Sequence, residues 1–211
     1  MSTNVHNMTD YEATVRDFRL EVPERFNFAR DVIGRWAQDP DKLAMHWLGP
    51  DGAERRVTFR DFAERSDRFA RLLQQQGVRP GDRVMVQLPR VPAWWEVLLG
   101  CFKAGAVAVP GTVLLTPKDI QYRTGLAEGV AYVCDADNAP KVDQVRAELP
   151  SLKTLIQVGD EAGAGWIDYE REMAGQAGAF TTVDTAAADP ALIYFTSGTV
   201  GNPKMVLHTH A

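Results

Sequence analysis

The chain has 211 residues, of which 45% are hydrophobic and 24% charged, so it can bury a sizeable core and does not have the composition of a disordered polypeptide. Its formal net charge of −5 argues against the basic surface that nucleic-acid-binding proteins need. No stretch supplies the roughly 20 predominantly apolar residues of a membrane span. The two cysteines, Cys101 and Cys134, have no metal-ligand spacing, which is typical of a reducing, cytoplasmic compartment.

Helices and strands alternate along the first half of the chain. In chain order the pattern predicts a helix at 27–38, strands at 44–48 and 55–57, a helix from Thr58 to Gly77, a strand at 83–88, a helix at 92–104 and a strand at 106–109. Thr58 and Asp61 have the spacing of a capping box. In the first helix Phe28, Ile33 and Trp36 recur at helical spacing, so we expect them to share one apolar stripe.

The second half continues the alternation and then changes character. The pattern predicts a helix at 117–128 capped by Thr116, a strand at 130–134, a helix at 141–149, a strand at 154–158, a helix near 167–174 and strands at 191–195 and 205–207. Residues 159–190 are rich in Gly, Ala and acidic side chains, which favours a solvated surface excursion. Strands and helices alternating in this way predict an α/β fold, a mostly parallel sheet with helices on both faces. We expect an N-terminal arm at 1–25 and a partial domain at 26–211.

The strand at 191–195 runs directly into a loop whose residues suit phosphate binding. Glycines let backbone N–H groups converge on an anion, hydroxyls add donors, and a lysine supplies a positive charge. The residues predicted to form this cradle are Thr196, Ser197, Gly198, Thr199, Gly201 and Lys204. A Walker A loop would carry Ser or Thr after the lysine and open a helix, whereas here a strand follows. The loop therefore joins strand to strand, which argues against a P-loop NTPase.

The segment Tyr194-Phe-Thr-Ser-Gly-Thr-Val-Gly-Asn-Pro-Lys204 resembles the signature loop of the adenylate-forming (AMP-binding) enzymes, which include acyl-CoA synthetases. Leu88-Pro-Arg-Val-Pro-Ala-Trp-Trp95 and the stretch 100–112 are similar to the medium-chain acyl-CoA synthetase branch. The resemblance covers about residues 26–211. Val200 departs from it, because the family more often has a small hydroxyl residue there.

The resemblance implies the N-terminal part of the large domain of an AMP-forming acid–thiol ligase. A carboxylic acid, medium-chain fatty or aryl, would react with ATP and Mg²⁺ to give an acyl-AMP, and CoA would then displace AMP. The loop would bind the phosphates, with Lys204 as a catalytic residue, and we assign no metal ligand in this chain. His210, six residues further on, would contact the substrate; the alternative is that His208 and His210 are ordinary residues of a strand end.

The chain stops soon after the loop, so we expect part of a longer enzyme that is inactive on its own. Two alternatives stay open: a non-catalytic fragment that at most binds phosphate, and a parent enzyme that makes acyl-AMP without using CoA. Trp94 and Trp95 are expected in the core rather than in the walls of an acyl pocket. Arg90 and Arg123 are expected in solvent or in structural ion pairs rather than in contact with CoA or phosphate. The sequence predicts neither the oligomeric state nor the acid that is preferred.

Overall fold

A mixed sheet runs through the computed structural model, which describes residues 10–159, 161–196 and 201–211. The strands are β1 (Leu43–Leu48), β2 (Glu54–Thr58), β3 (Arg83–Gln87), β4 (Val107–Pro110), β5 (Ala131–Asp135), β6 (Thr154–Val158), β7 (Ile167–Asp168), β8 (Pro190–Thr196) and β9 (Lys204–Thr209). The α-helices are α1 (Tyr11–Asp17), α2 (Gly34–Trp36), α3 (Phe59–Gln75), α4 (Pro92–Lys103), α5 (Pro117–Ala127), α6 (Ala139–Asp143) and α7 (Tyr169–Gly175). A π-helical turn at Ala29–Ile33 leads into α2, and a 3-10 turn at Arg146–Glu148 follows α6.

The strands of the large sheet lie in the order β7-β6-β5-β3-β4-β8-β9. Neighbouring strands from β7 to β8 are parallel, whereas β9 is antiparallel to β8 and forms one edge. β1 and β2 form a separate antiparallel hairpin. The α/β fold with a mostly parallel sheet is therefore confirmed.

Helices cover both faces of this sheet, because successive strand residues point to opposite sides. On β3, Val84 and Val86 join the core that contains α3, α4 and α7, while Met85 joins the core that contains α5 and α6. Cys101 and Cys134 are free thiols, one buried in each core. Burial raises the pKa of both thiols, so they stay protonated at neutral pH.

Two of the long helices begin with the same reciprocal cap. In α3 the Asp61 backbone N–H donates to Thr58 Oγ1 at 3.1 Å, and the Thr58 N–H donates to Asp61 Oδ2 at 2.8 Å. Thr116 and Asp119 repeat this arrangement at the start of α5. The hydrogen bonds from Thr116 lower the pKa of Asp119. The capping box predicted at Thr58 is confirmed, and Gly77, at φ 80°, ends the α3 region as expected.

The apolar stripe predicted within 27–38 is wrong in part. Phe28 and Trp36 are 38% and 44% exposed, whereas Ala29 and Ile33 are buried. The cause is the π-helical turn, in which each turn takes in more residues than in an α-helix, so the 3.6-residue spacing no longer predicts one face.

The segment 159–190 is not the solvated excursion that its composition suggests. Its described part adds β7 to the edge of the sheet and buries Trp166, Tyr169 and Met173 in the two cores. The helix predicted at 141–149 is likewise interrupted, because Val145 leaves the helical conformation at φ −123° between α6 and the 3-10 turn. Val142, Val145 and Leu149 are buried all the same.

Within residues 10–26, the hydrogen bonds that join the N-terminal region to the domain lie near its end. α1 buries none of its residues, whereas the Phe26 N–H donates to the Thr185 carbonyl at 3.1 Å. The boundary at residue 26 stays a prediction. Among the helices in the described ranges, none is both long and apolar enough to cross a bilayer.

Candidate functional site

The predicted phosphate loop connects β8 to β9 at the edge of the sheet where the parallel strands end. Thr196 closes β8 and pairs with Lys204, which begins β9. Ser197, Gly198 and Thr199 lie outside the described residues, so their predicted roles stay predictions. The carboxyl edge of a parallel sheet is where α/β proteins bind ligands, because the strand ends and their loops leave a crevice there.

Gly201 and Lys204 form the described second half of this loop. Gly201 has φ 96°, a conformation that favours glycine, so its place in the loop has a backbone reason. Lys204 is exposed, and its ammonium group makes no ion pair or side-chain hydrogen bond within the described part of the chain. The strand-to-strand connection that separated this loop from a Walker A motif is confirmed.

A cleft of about 460 Å³ lies beside the loop and is called the loop cleft below. Its lining residues come from α4, from the turn after β4, from α5 and from both sides of the phosphate loop. Among them are Trp94, Gly111, Thr112, Arg123, Phe195 and Pro203. Four stretches far apart in the sequence therefore meet at the carboxyl edge.

Arg123 brings a positive charge to the loop cleft. Its guanidinium carbon lies 5.0 Å from the centre of the Phe195 ring, a cation–π contact. Its Nε is buried without a hydrogen-bond partner, and the side chain makes no ion pair with any residue that the structure describes. The expected structural ion pair is not formed among the described residues; the side chain is half-buried and lies against the Phe195 ring in the wall of the cleft.

Two further side chains hold the walls of the loop cleft in position. The Tyr122 hydroxyl donates to the Pro203 carbonyl at 3.1 Å and so ties α5 to the phosphate loop. Gln87, at the end of β3, donates to the Thr112 carbonyl at 3.3 Å. Gln87 in turn accepts a 2.8 Å hydrogen bond from Tyr132, whose pKa is raised by burial, so that hydroxyl remains a donor. The sequence alone singled out neither Tyr122 nor Gln87, because no local motif marks either side chain.

His210 does not share a site with the phosphate loop. Lys204, at the start of β9, pairs with Thr196, whereas Thr209, at its end, pairs with Pro190. β9 therefore runs from the carboxyl end of β8 to its amino end. Six residues of extended strand span about 20 Å. The prediction that His210 contacts the substrate stays a prediction; the structure shows only that β9 separates His210 from Lys204.

The surroundings of His210 are those of a core histidine. Its ring packs edge-on against Phe102, with centroids 5.6 Å apart, and neither ring nitrogen has a hydrogen-bond partner among the described residues. Burial lowers its pKa, which keeps the imidazole neutral. The alternative reading, an ordinary residue at a strand end, fits this placement.

The prediction that Trp94 and Trp95 are core residues is wrong for Trp95 and holds in part for Trp94, which packs against one core. Trp94 is half-buried and lines the loop cleft, and Trp95 is 43% exposed. Their rings meet edge to face at 4.8 Å. Because neighbouring residues on a helix diverge, α4 directs only its other faces into the core.

The described residues contain no group of three or more His, Cys, Asp or Glu that could hold a metal ion. Within these ranges the residues therefore do not fit a Mg²⁺ site of their own.

Comparison with known proteins agrees with this arrangement. A family model described as AMP-binding enzyme matches residues 34–211. The mouse mitochondrial acyl-coenzyme A synthetase ACSM3 is 37% identical over 212 residues, covering 97% of this chain and 37% of its own length. The human mitochondrial acyl-coenzyme A synthetase ACSM5 is 38% identical over 200 residues, covering 92% of this chain and 34% of its own length.

Solved structures show the same fold. The anthranilate CoA ligase AuaEII in complex with anthranoyl-AMP superposes with a TM-score of 0.80 at 25% identity, covering 90% of this chain and 36% of that one. The acyl-CoA synthetase of Brucella canis superposes with a TM-score of 0.81 at 24% identity, covering 95% of this chain and 36% of that one. The chain spans little more than a third of the length of these relatives. It belongs to the AMP-binding enzyme family.

Proposed function

We propose that this chain forms the phosphate-binding part of an acyl-CoA synthetase, which uses ATP to activate a carboxylic acid and transfers the acyl group to CoA. The acid would be a medium-chain fatty acid or an aryl acid. The observation that carries the proposal is the loop cleft, where a glycine-containing loop with Lys204 adjoins Arg123, which has no ion-pair partner in the described ranges, at the carboxyl edge of the sheet.

The proposed reaction has two steps. An oxygen of the carboxylate forms a bond to the α-phosphorus of ATP, the bond from that phosphorus to the bridging oxygen breaks, and pyrophosphate leaves with the electron pair. The thiol sulfur of CoA then bonds to the acyl carbon and releases its proton to solvent, and AMP leaves with the electrons of the broken C–O bond. Negative charge accumulates on the departing pyrophosphate, so donors and cations aimed at it lower the barrier.

The side chains at the loop suit the first step. Thr196 and Lys204, at the two ends of the loop, would contact the terminal phosphates with a hydroxyl and an ammonium group. Ser197, Gly198, Thr199 and Gly201 complete the proposed cradle. Arg123 is held over Phe195 rather than by an acid, so its charge is available to a phosphate or carboxylate in the loop cleft.

The substrate class rests on the relatives. The names of the mammalian relatives describe acyl-coenzyme A synthetases, and the AuaEII structure is a complex with anthranoyl-AMP, an aryl adenylate. A cleft that includes Trp94 and Phe195 is compatible with either an alkyl or an aryl acid.

The test measures pyrophosphate release and thioester formation with ATP, CoA and either octanoate or benzoate. It is run on the 211-residue chain and on a protein extended to the length of the relatives. We expect both products from the extended protein. If the extended protein forms the adenylate but no thioester, it is an acyl-AMP ligase. If the 211-residue chain binds phosphate but does not turn over, that chain is a non-catalytic fragment.

We also propose a cytoplasmic location, supported by the two buried free thiols. The mammalian relatives are named mitochondrial. Fractionation of the source cells tests the proposal, and recovery from an organelle or from the medium would contradict it.

A further inference from the structure

A second cleft, of about 570 Å³, lies between the β1–β2 hairpin and the start of α4. We call it the aromatic cleft. Its lining residues include Trp47, Leu48, Leu88, Arg90, Trp94 and Trp95. Trp94 also lines the loop cleft, so the two clefts are neighbours that share one ring.

The apolar side chains of the aromatic cleft are exposed yet held in place. Leu48 is 65% and Trp95 43% exposed, a high exposure for residues of this size. The Trp47 indole N–H donates to the Arg90 carbonyl at 2.7 Å, which ties the hairpin to the segment before α4. The Trp94 and Trp95 rings support each other edge to face. An apolar surface that is fixed in this way suits a ligand with an alkyl or aryl group.

The charge of the aromatic cleft is positive at one end. Arg90 is exposed, and its guanidinium makes no ion pair or side-chain hydrogen bond within the described ranges. α4 begins two residues later with Pro92, and the positive end of the helix dipole lies there without a side-chain cap from Val91. The lining residue His46 is hydrogen-bonded to an acid, because its Nε2 lies 3.0 Å from Glu54 Oε2. A small anion near Arg90 would therefore meet a guanidinium and the amino end of a helix.

From these features we propose that the aromatic cleft binds a free carboxylic acid with an alkyl or aryl tail, at a site separate from the loop cleft. The tail lies among Trp47, Trp94 and Trp95, and the carboxylate binds the Arg90 guanidinium. Binding requires neither ATP nor catalysis, so this inference stands or falls independently of the proposed function.

Bromine quenches tryptophan fluorescence at short range, so the test uses 8-bromooctanoate and the 211-residue chain. Three of the five tryptophans line the aromatic cleft. We expect saturable quenching that octanoate reverses and that octylamine and 1-octanol reverse about tenfold less well, because they lack the carboxylate. Arg90→Gln should weaken binding about tenfold, since a charge-assisted hydrogen bond is lost.

Arg123→Gln is the matched control, because it removes the cation of the neighbouring loop cleft. It should bind 8-bromooctanoate as the unmodified chain does, and circular dichroism should show that both variants fold. Absence of quenching, equal binding by Arg90→Gln, or loss of binding in Arg123→Gln would each overturn the proposal. Octyl phosphate that competed tenfold better than octanoate would overturn the carboxylate assignment.

Discussion

At the scale of single residues, one cation lines the loop cleft and another lies on the phosphate loop beside it. The sequence presents the two very differently. Lys204 ends a glycine-containing loop and is conspicuous, whereas Arg123 lies on α5 with no motif of its own. Arg123 becomes notable only in three dimensions, where its guanidinium lies over Phe195 and its Nε has no partner among the described residues. Lys204 was therefore predictable from the sequence, and Arg123 was not.

We expect Lys204→Ala, made in a protein that catalyses acyl-CoA formation, to lower kcat about 100-fold or more, because the pyrophosphate loses a charge that stabilises its departure. Lys153→Ala is the matched control. Lys153 is an exposed lysine directly before the amino end of β6, and the loop cleft lies at the carboxyl ends of the parallel strands. Pyrophosphate release is the measurement. Equal rates for the two variants would remove Lys204 from the phosphate site.

Arg123→Gln in the same protein should raise the KM for ATP about tenfold, because a charge-assisted contact to phosphate is lost. Arg123→Lys keeps the charge but not the planar group that lies over Phe195, so we expect an intermediate effect. Steady-state kinetics with varied ATP separates the two variants. A KM that rises for the acid alone would instead assign Arg123 to the carboxylate.

The stability of the chain should depend on pH through His210. Burial lowers its folded pKa below the unfolded value of 6.5, so the unfolded chain binds more protons between the two. Stability is complete above pH 6.5 and is lost as the pH falls through the folded pKa. Urea unfolding at pH 7.5 and 5.5 should show a smaller loss for His210→Phe than for the unmodified chain. An equal loss would show that the ring is not buried in its neutral form.

At the scale of elements, helix starts were the most predictable features. The Thr58–Asp61 cap lies within four consecutive residues, so the sequence contains all of it. The 27–38 stripe failed because a π-helical turn changes the spacing, and nothing in the local pattern announces such a turn. The composition of 159–190 gives no sign that Trp166, Tyr169 and Met173 are buried. Their spacing of three and four residues does, because it is a helical signal.

Removing the cap of α3 should cost a measurable part of the stability. Thr58→Ala loses the oxygen that accepts the Asp61 N–H, and the expected cost is about 1 kcal/mol in the free energy of unfolding. Thr58→Ser keeps that oxygen and should lie close to the unmodified chain. Urea unfolding of the three proteins tests this. Equal losses for Ala and Ser would assign the effect to the threonine methyl group.

At the scale of the whole molecule, one buried cluster joins three helices on one face of the sheet. Glu96 on α4 is buried and accepts from the Tyr169 hydroxyl at 2.6 Å and from Arg65 Nε at 2.8 Å. Arg65 lies on α3 and also pairs with Glu170 on α7. Burial and Glu96 together raise the pKa of Tyr169, so its hydroxyl stays a donor. Such a cluster could not be foreseen, since its members lie up to 105 residues apart.

Arg65→Met should destabilise the chain by about 3 kcal/mol, because it leaves the buried Glu96 carboxylate without its cation. Arg171→Met, at an exposed ion pair with Glu172, should cost under about 1 kcal/mol. The double change Arg65→Met with Glu96→Leu should recover much of the loss. Chemical unfolding of all three variants gives the comparison, and similar costs for the two single changes would contradict the assignment.

The connection between β8 and β9 has a consequence for the length of the phosphate loop. Thr196 is paired with Lys204, and strand side chains alternate between faces with a period of two. Adding one residue to the loop would shift the pairing by one and turn every side chain of β9 to the other face, unless a bulge absorbed it. Lys204 would then leave the side of the sheet where it now stands. The side of the sheet on which Lys204 stands therefore depends on the number of residues between it and Thr196 as well as on their identity.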